Sequence, residues 1–198
     1  MALKLVKTGH FETIQFPFNF IETKAEEELF PTARELWLGI LVMKPFGGGA
    51  IDNGALAFKF LRNYPDIVPL PGFEDQSQID EILNFYNQVF ELKNEDLEKI
   101  DHYRHELGKE FCRRCEYCLS CPNKVTIPPA MQFKLMSKKM NKKKLLEFVG
   151  EVMEAVPNCT ICDKCVEKCP YDLNIPEIIQ RNYEYYLEVK NGKSITGN

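Results

Sequence analysis

The sequence of 198 residues lacks three features that would each point to a class of protein. No apolar run approaches the length that spans a bilayer, which argues against a transmembrane helix. No hydrophobic signal segment stands at the N-terminus, so we expect a cytoplasmic protein without disulfides. Positive charge is not in excess, because the net charge is −4, and nucleic acid is therefore not an expected partner of the whole chain.

Cysteine is absent outside two short runs. All eight cysteines lie between positions 112 and 169, four in each run, and each run ends in Cys-Pro. The second run has the spacing C-x2-C-x2-C-x3-C-P, which is typical of the loop that holds a [4Fe–4S] cluster. We therefore expect all eight to be metal ligands: Cys112, Cys115, Cys118, Cys121, Cys159, Cys162, Cys165 and Cys169.

The expected ligand sets cross between the runs. In two-cluster ferredoxins, the cysteine before the proline binds the other cluster. One cluster is then expected on Cys112, Cys115, Cys118 and Cys169, and the second on Cys159, Cys162, Cys165 and Cys121. The first run has two residues before its last cysteine where the second run has three, so Cys121 departs from the common pattern.

The two runs form an internal repeat that continues beyond the cysteines. CPNKVTIP (121–128) corresponds to CPYDLNIP (169–176), and because proline favours the first turn of a helix, helices are expected to begin near Pro128 and Pro176. The insert 129–157 predicts two more helices, with Asn141 capping the second. Helical spacing predicts one buried face on that helix, formed by Leu145, Phe148, Val149, Val152 and Val156.

Two features of this half leave alternatives open. Zinc is the competing metal, although zinc sites usually pair two separate C-x2-C segments and not a longer run of cysteines. With zinc bound, the region would be a metal-stapled structural module. The run KKMNKKK (138–144) is either a solvated turn or a docking patch for an acidic redox partner.

The N-terminal half alternates predicted strands and helices. Strands are expected at 12–18, 39–43 and 66–70, and helices at 23–36, 55–63 and 77–89, the last with Asp75 as its cap. This alternation predicts parallel strands joined by helical crossovers. The charged segment 94–110, which includes Gly108, is interpreted as a linker.

Four segments of this half resemble the last three strand–helix units of the aldo/keto reductases, in the branch that has a C-terminal iron–sulfur domain. They are FETIQFPFNFIE, AEEELFPTAREL, GILVMKPFGGGAI and VPLPGFEDQSQIDEI. The resemblance implies an α/β fold: a partial TIM-type barrel of about three parallel units over residues 1–100, and an α-helical dicluster ferredoxin-like domain over 108–198. The family's first barrel half, with its catalytic residues, has no counterpart here, so no catalytic residue is assigned.

The same resemblance implies residues for a nicotinamide cofactor. NAD is favoured over NADP, because residues 74–80 contain three acidic side chains where a 2′-phosphate would require Arg or Lys. Gln15 would meet the carboxamide and Met43 the nicotinamide ring. Lys44, Phe46 and Gly47 would follow the cofactor backbone, and Gly72 and Phe73 would lie by the adenosine phosphate.

The expected function is electron transfer through two [4Fe–4S] clusters as part of an aldo/keto reductase-type oxidoreductase. The isolated chain is not expected to be active, because three strands cannot close a barrel. The missing half would be another polypeptide, a second copy of the chain, or sequence lost by truncation. The alternative is an electron carrier whose barrel remnant only binds a redox partner.

Overall fold

The structure is a computed structural model that describes residues 2–88 and 91–195. The chain divides into two compact units, residues 1–108 (unit 1) and 109–198 (unit 2). Unit 1 contains α1 (Ala2–Val6), β1 (Thr13–Pro17), α2 (Leu29–Glu35), β2 (Gly39–Met43), α3 (Gly54–Leu61), β3 (Ile67–Leu70), α4 (Gln76–Asn87) and α5 (Asn94–Gly108). Unit 2 contains α6 (Ile127–Ser137), α7 (Lys142–Glu154), α8 (Lys164–Glu167) and α9 (Ile175–Lys190).

Unit 1 contains the parallel sheet that the sequence predicts. Its strands have the order β1-β2-β3, with Thr13 opposite Gly39 and Ile40 opposite Ile67. Helices α2 and α3 connect the strands, and Asp75 caps α4 as expected, since its Oδ1 accepts from the Gln78 N–H at 3.1 Å. The predicted helix 77–89 begins at Gln76, and its predicted last residue, Val89, lies outside the described residues.

One face of this sheet is buried and the other is accessible. The buried face is formed by alternate strand residues, namely Phe16, Ile40, Val42 and Ile67. They pack in a core rich in aromatic rings, in which the ring centroids of Phe18 and Phe30 lie 4.7 Å apart. On the opposite face, Val68 is 53% exposed and Leu70 is 39% exposed. The sheet therefore has an apolar face that the described part of unit 1 leaves accessible.

Two expectations about unit 1 were wrong. The predicted helix 23–36 is split into a 3₁₀ turn at Lys24–Glu26 and helix α2, because Pro31 is tolerated only in the first turn of a helix. The expected linker 94–110 is mostly helix α5, which buries Ile100 and donates a hydrogen bond from Arg104 Nε to the Phe20 carbonyl at 2.7 Å. The linker prediction failed because this segment has many charged residues and only a short buried face.

Unit 2 is a small helical unit in which α6, α7 and α9 share one core. Pro128 and Pro176 lie in the first turns of α6 and α9, as predicted. Buried Asn182 of α9 joins α9 to α6, because its Nδ2 donates to the Ala130 carbonyl at 2.8 Å and to the Met131 carbonyl at 3.1 Å. Fully buried apolar side chains complete the core: Phe133, Leu145, Val149, Met153, Val156, Ile179 and Val189.

Helix α7 agrees with its predicted cap but not with its predicted buried face. Asn141 Oδ1 accepts from the Lys144 N–H at 3.0 Å, which confirms the cap. Leu145 and Val149 are buried, but Phe148 is 69% exposed and therefore was wrongly assigned to the core. Met153 occupies the buried position that follows Val149 by one helical turn.

Candidate metal centres

The cysteine loops have the same backbone conformation in both copies of the repeat. Non-glycine residues with positive φ occur at three matching positions: before the second cysteine, after it, and three residues beyond the last cysteine. The pairs are Arg114 (55°) with Ile161 (52°), Glu116 (66°) with Asp163 (55°), and Lys124 (60°) with Asp172 (51°). Left-handed residues turn the chain sharply, so each run is wrapped around the space beside its cysteines.

The cysteines of each run line two neighbouring cavities in unit 2. The first cavity is lined by Cys112, Cys115, Cys118 and Cys169, which we name the Cys112 site. The second is lined by Cys121, Cys159, Cys162 and Cys165, which we name the Cys159 site, and Cys118 also reaches it. Cys169 thus lies with the first run and Cys121 with the second, which is the grouping that crossed ligation requires.

Hydrogen bonds connect the two runs directly. Asn123, which follows the first run, donates from Nδ2 to Thr160 Oγ1 in the second run at 2.8 Å. Lys168 of the second run donates from Nζ to the Leu119 carbonyl at 3.4 Å. These contacts hold the loops next to each other although the insert of α6 and α7 separates them along the chain.

The comparison with known families concerns this region. Residues 111–173 match the family model of the 4Fe-4S dicluster domain. The match covers both cysteine runs and the insert between them. No curated protein and no solved structure matches the chain.

The thiols of the dicluster domain fit an iron–sulfur cluster by their chemistry. Thiolates are the ligands that iron–sulfur clusters use, and all eight cysteines are free of disulfides. Burial raises the pKa of the Cys112 and Cys165 thiols and raises that of Cys118 to about 11. Because burial disfavours the bare thiolates, a bound cationic centre would offset that cost. Among the described residues, no three His, Cys, Asp or Glu side chains converge on a single-ion site.

Apolar side chains in α6 and α9, and in the residues just before these helices, form the inner wall of both sites. Ile127, at the start of α6, lines both cavities. Leu173 and Ile175 line the Cys112 site, and Val125 and Ile179 line the Cys159 site. A wall of this kind restricts water on the inner side, which is one of the factors that set a cluster's reduction potential.

Each site also has one side that faces solvent. Cys115 of the Cys112 site and Cys162 of the Cys159 site are exposed. Beside them, Tyr117 is 65% exposed and Ile161 is 69% exposed. These accessible edges have no sequence signal, since they depend on which way the loops turn.

The residues expected to contact a nicotinamide cofactor lie near the carboxyl ends of the strands of unit 1. Gln15 and Met43 are adjacent, with Gln15 Nε2 at 3.5 Å from Met43 Sδ. Lys44 and Gly47 follow β2 with positive φ values of 56° each, and Phe46 packs on Phe58 at 5.8 Å between ring centroids. Gly72 and Phe73 follow β3 and precede α4; Phe73 is 43% exposed.

None of the described helices combines the length and the apolar character that a membrane crossing requires.

Proposed function

We propose that the protein transfers electrons one at a time through two [4Fe–4S] clusters, one bound at the Cys112 site and one at the Cys159 site. The observation that supports this most directly is the pair of adjacent cavities that share Cys118 and Ile127. Such adjacency is useful for one-electron chemistry, because two centres in contact with a common side chain are close in space.

The residues have separable roles in this proposal. The cysteines hold the clusters, each of which accepts or donates one electron when bound. Ile127 and the other apolar wall residues limit water, and exposed Cys115 and Cys162 mark the edges at which a partner approaches. Eight free thiols need a reducing compartment such as the cytoplasm to remain available for iron.

Anaerobic reductive titration tests this function. The loaded protein should take up about two electrons per chain from dithionite, one for each cluster, with loss of its brown colour and appearance of a low-temperature EPR signal. A protein that remains EPR-silent and takes up no electrons would contradict the proposal, even if it binds metal.

A second candidate is that these electrons serve an aldo/keto reductase-type oxidoreductase of which unit 1 is one part. The accessible apolar face of the sheet, with Val68 and Leu70 exposed, supports this candidate, since a closed barrel would bury it. The contact between Gln15 and Met43, both on that face, is consistent with a cofactor site that needs further strands.

Reduction by NADH separates this enzyme from a simple electron carrier. Nicotinamide transfers two electrons as hydride and each cluster takes one, so a flavin or similar intermediate from a partner is required. Cluster reduction by NADH, with a barrel-completing partner and flavin present, favours the enzyme. Reduction only by a one-electron donor protein favours the carrier, in which unit 1 docks a partner.

A further inference from the structure

The two metal sites are related by the repeat, and at each site a residue of one run contacts a residue of the other. The first member of this pair follows the first cysteine of its run, and the second member follows the Cys-Pro of the opposite run. At the Cys159 site the pair is Thr160 and Asn123, which share the hydrogen bond of 2.8 Å from Asn123 Nδ2 to Thr160 Oγ1. Both side chains are uncharged.

The matching pair at the Cys112 site is charged. It consists of Arg113 and Tyr171, with the guanidinium carbon 4.2 Å from the centroid of the tyrosine ring. Both residues line the Cys112 site, so stacking on this ring keeps the positive charge beside it. A second contact holds the same guanidinium, since Arg113 Nη1 donates to the Phe111 carbonyl at 3.1 Å. The repeat therefore has a fixed cation at one site where it has a hydroxyl at the other.

Arg113 differs in burial from the other charged residues that line the two sites. It is half-buried, whereas Glu116 of the Cys112 site and Lys164 and Lys168 of the Cys159 site are exposed. A charge surrounded by water acts through a dielectric constant of about 80, against about 20 for a charge partly enclosed by protein, so its field is roughly fourfold weaker. Salt weakens the field of exposed charges further. Arg113 is therefore expected to outweigh the two lysines of the other site.

A fixed positive charge changes how easily a neighbouring cluster is reduced. Reduction by one electron adds one negative charge to the site, and the step needs no proton and breaks no bond. Arg113 stabilises the added charge, because a guanidinium remains protonated in proteins. Net charge is one of the factors that set the potential of a cluster, and nearby positive charge raises that potential. The uncharged pair at the Cys159 site gives no such stabilisation.

We propose that Arg113, held by Tyr171, raises the reduction potential at the Cys112 site above that at the Cys159 site, so that the first electron taken up resides at the Cys112 site. This inference rests on the proposed function, because it requires a cluster at each site. It adds an order to the two one-electron steps, and that order determines which site holds the electron in the singly reduced protein.

Redox titration of the anaerobically purified, loaded protein, followed by EPR, tests this order. The unchanged protein should show two separate one-electron steps. Arg113→Gln removes the charge and retains a planar amide. It should shift the higher-potential step about tenfold toward the oxidised form, which is about 59 mV, and the lower step by less than about threefold. Arg113→Lys keeps the charge and should retain most of the original potential.

Lys164→Gln is the matched control, because it removes one exposed positive charge that lines the Cys159 site. It should shift neither step by more than about threefold. Added salt should leave the effect of Arg113→Gln nearly unchanged, since a half-buried charge is screened little. Iron and sulfide content of each variant shows whether both clusters are still bound.

Three results would overturn the inference. The first is a shift by Arg113→Gln that is absent or confined to the lower-potential step. The second is a shift of the higher-potential step by Lys164→Gln that equals the shift by Arg113→Gln. The third is an equal loss of potential in Arg113→Lys and Arg113→Gln, because charge would then not be the cause. A lack of any reducible cluster in the unchanged protein contradicts the proposed function instead, so the two failures are distinguishable.

Discussion

Ile161 adopts a backbone conformation that its side chain disfavours. A φ of 52° is a clear outlier for a β-branched residue and costs about 1–2 kcal/mol. The residue is exposed, so packing of its side chain does not compensate. Such conformations persist where the surroundings enforce them. Here the second cysteine loop enforces the conformation. One end of this loop is held by the hydrogen bond from the Cys159 N–H to the Val156 carbonyl, and the other end continues into α8.

Paired cysteine substitutions test the crossed ligand sets. Cys112→Ser and Cys169→Ser should each lose one cluster, about half of the bound iron, and C112S/C169S should lose no more than either single variant. C112S/C121S should lose nearly all the iron, because it damages both sites. Iron content and EPR of the anaerobically purified variants provide the measurement.

The opposite pattern would contradict the crossing. If C112S/C121S kept half of the iron while C112S/C169S lost both clusters, each run would bind its own cluster.

Trp37, which lies far from the cysteines in sequence, also has a disfavoured backbone conformation, and here the strain can be tested. It has a φ of 57° at the C-terminus of α2, where the Leu38 N–H donates to the Ala33 carbonyl at 2.9 Å in a Schellman arrangement. Its side chain is 93% exposed. Trp37→Gly should therefore raise the free energy of unfolding by about 1 kcal/mol, measured by urea denaturation.

Trp37→Ala is the matched control, since it removes the ring but retains a Cβ at positive φ. It should change stability by less than about 0.5 kcal/mol. Equal stabilisation by both substitutions would show that strain at this φ is not the cause.

At the level of elements, the start of α5 depends on a buried carboxylate. Asp96 Oδ2 accepts from the Lys93 N–H at 3.0 Å and from Lys59 Nζ at 2.8 Å. It thus acts as the reciprocal half of a capping box and ties α5 to α3. The hydrogen bond from Lys59, followed by that from Lys93, lowers the pKa of Asp96 below its usual value.

The pH dependence of Asp96→Asn follows from that lowered pKa. Folding favours the carboxylate, so its contribution is fully present above the usual carboxyl pKa of about 3.9 and is lost as pH falls through the lower native value. At pH 7 the variant should be less stable by about 1 kcal/mol, and the difference should shrink below about pH 4. Hydrogen exchange of unit 1 peptides in urea measures this.

Asp101→Asn is the control on the same helix, because Asp101 is 76% exposed and, among the described residues, forms an ion pair with Arg104 alone, across one helical turn. It should have a small effect at every pH. A difference between wild type and Asp96→Asn that grows as pH falls would show that Asp96 is not stabilised as a carboxylate.

The sequence predicted those elements whose signals are local. Asp75 and Asn141 were recognised as caps because capping needs only a side chain and the N–H three residues on. The three strands followed from short apolar runs, and the candidate metal sites, which stay a prediction, from cysteine spacing. Phe148 was misassigned because helical spacing identifies a face but not its width, and only the position of α6 and α9 decides which edge of that face is covered.

The grouping of Cys169 with the first run, in contrast, does not follow from a local signal. Spacing alone allows each run to bind its own metal, and the expectation came from the behaviour of two-cluster ferredoxins. The contacts that place the runs side by side, such as that of Asn123 with Thr160, join residues far apart in the chain and have no sequence signal.

For the whole molecule, the two units differ in what stabilises them. Unit 1 has a sheet, two covering helices and an aromatic core. Unit 2 has a helical core, and its residues 109–126 and 157–174 contain little regular structure besides the cysteine loops and α8. A bound cluster would cross-link these loops and so add to the stability of their fold.

Removal of the clusters should therefore affect the units unequally. After anaerobic treatment with an iron chelator, hydrogen exchange should accelerate most in peptides covering residues 109–126 and 157–174. Exchange in β1–β3 should change little. Comparable loss of protection in β1–β3 would show that the clusters stabilise the fold of both units.

The proposed function depends most on joint binding of a pair of iron–sulfur clusters by the two cysteine runs. Iron, acid-labile sulfide and zinc assays on anaerobically purified protein test this binding directly. We expect about eight iron and eight sulfide per chain with negligible zinc. Stoichiometric zinc, or iron without labile sulfide, after purification in the absence of oxygen would contradict it.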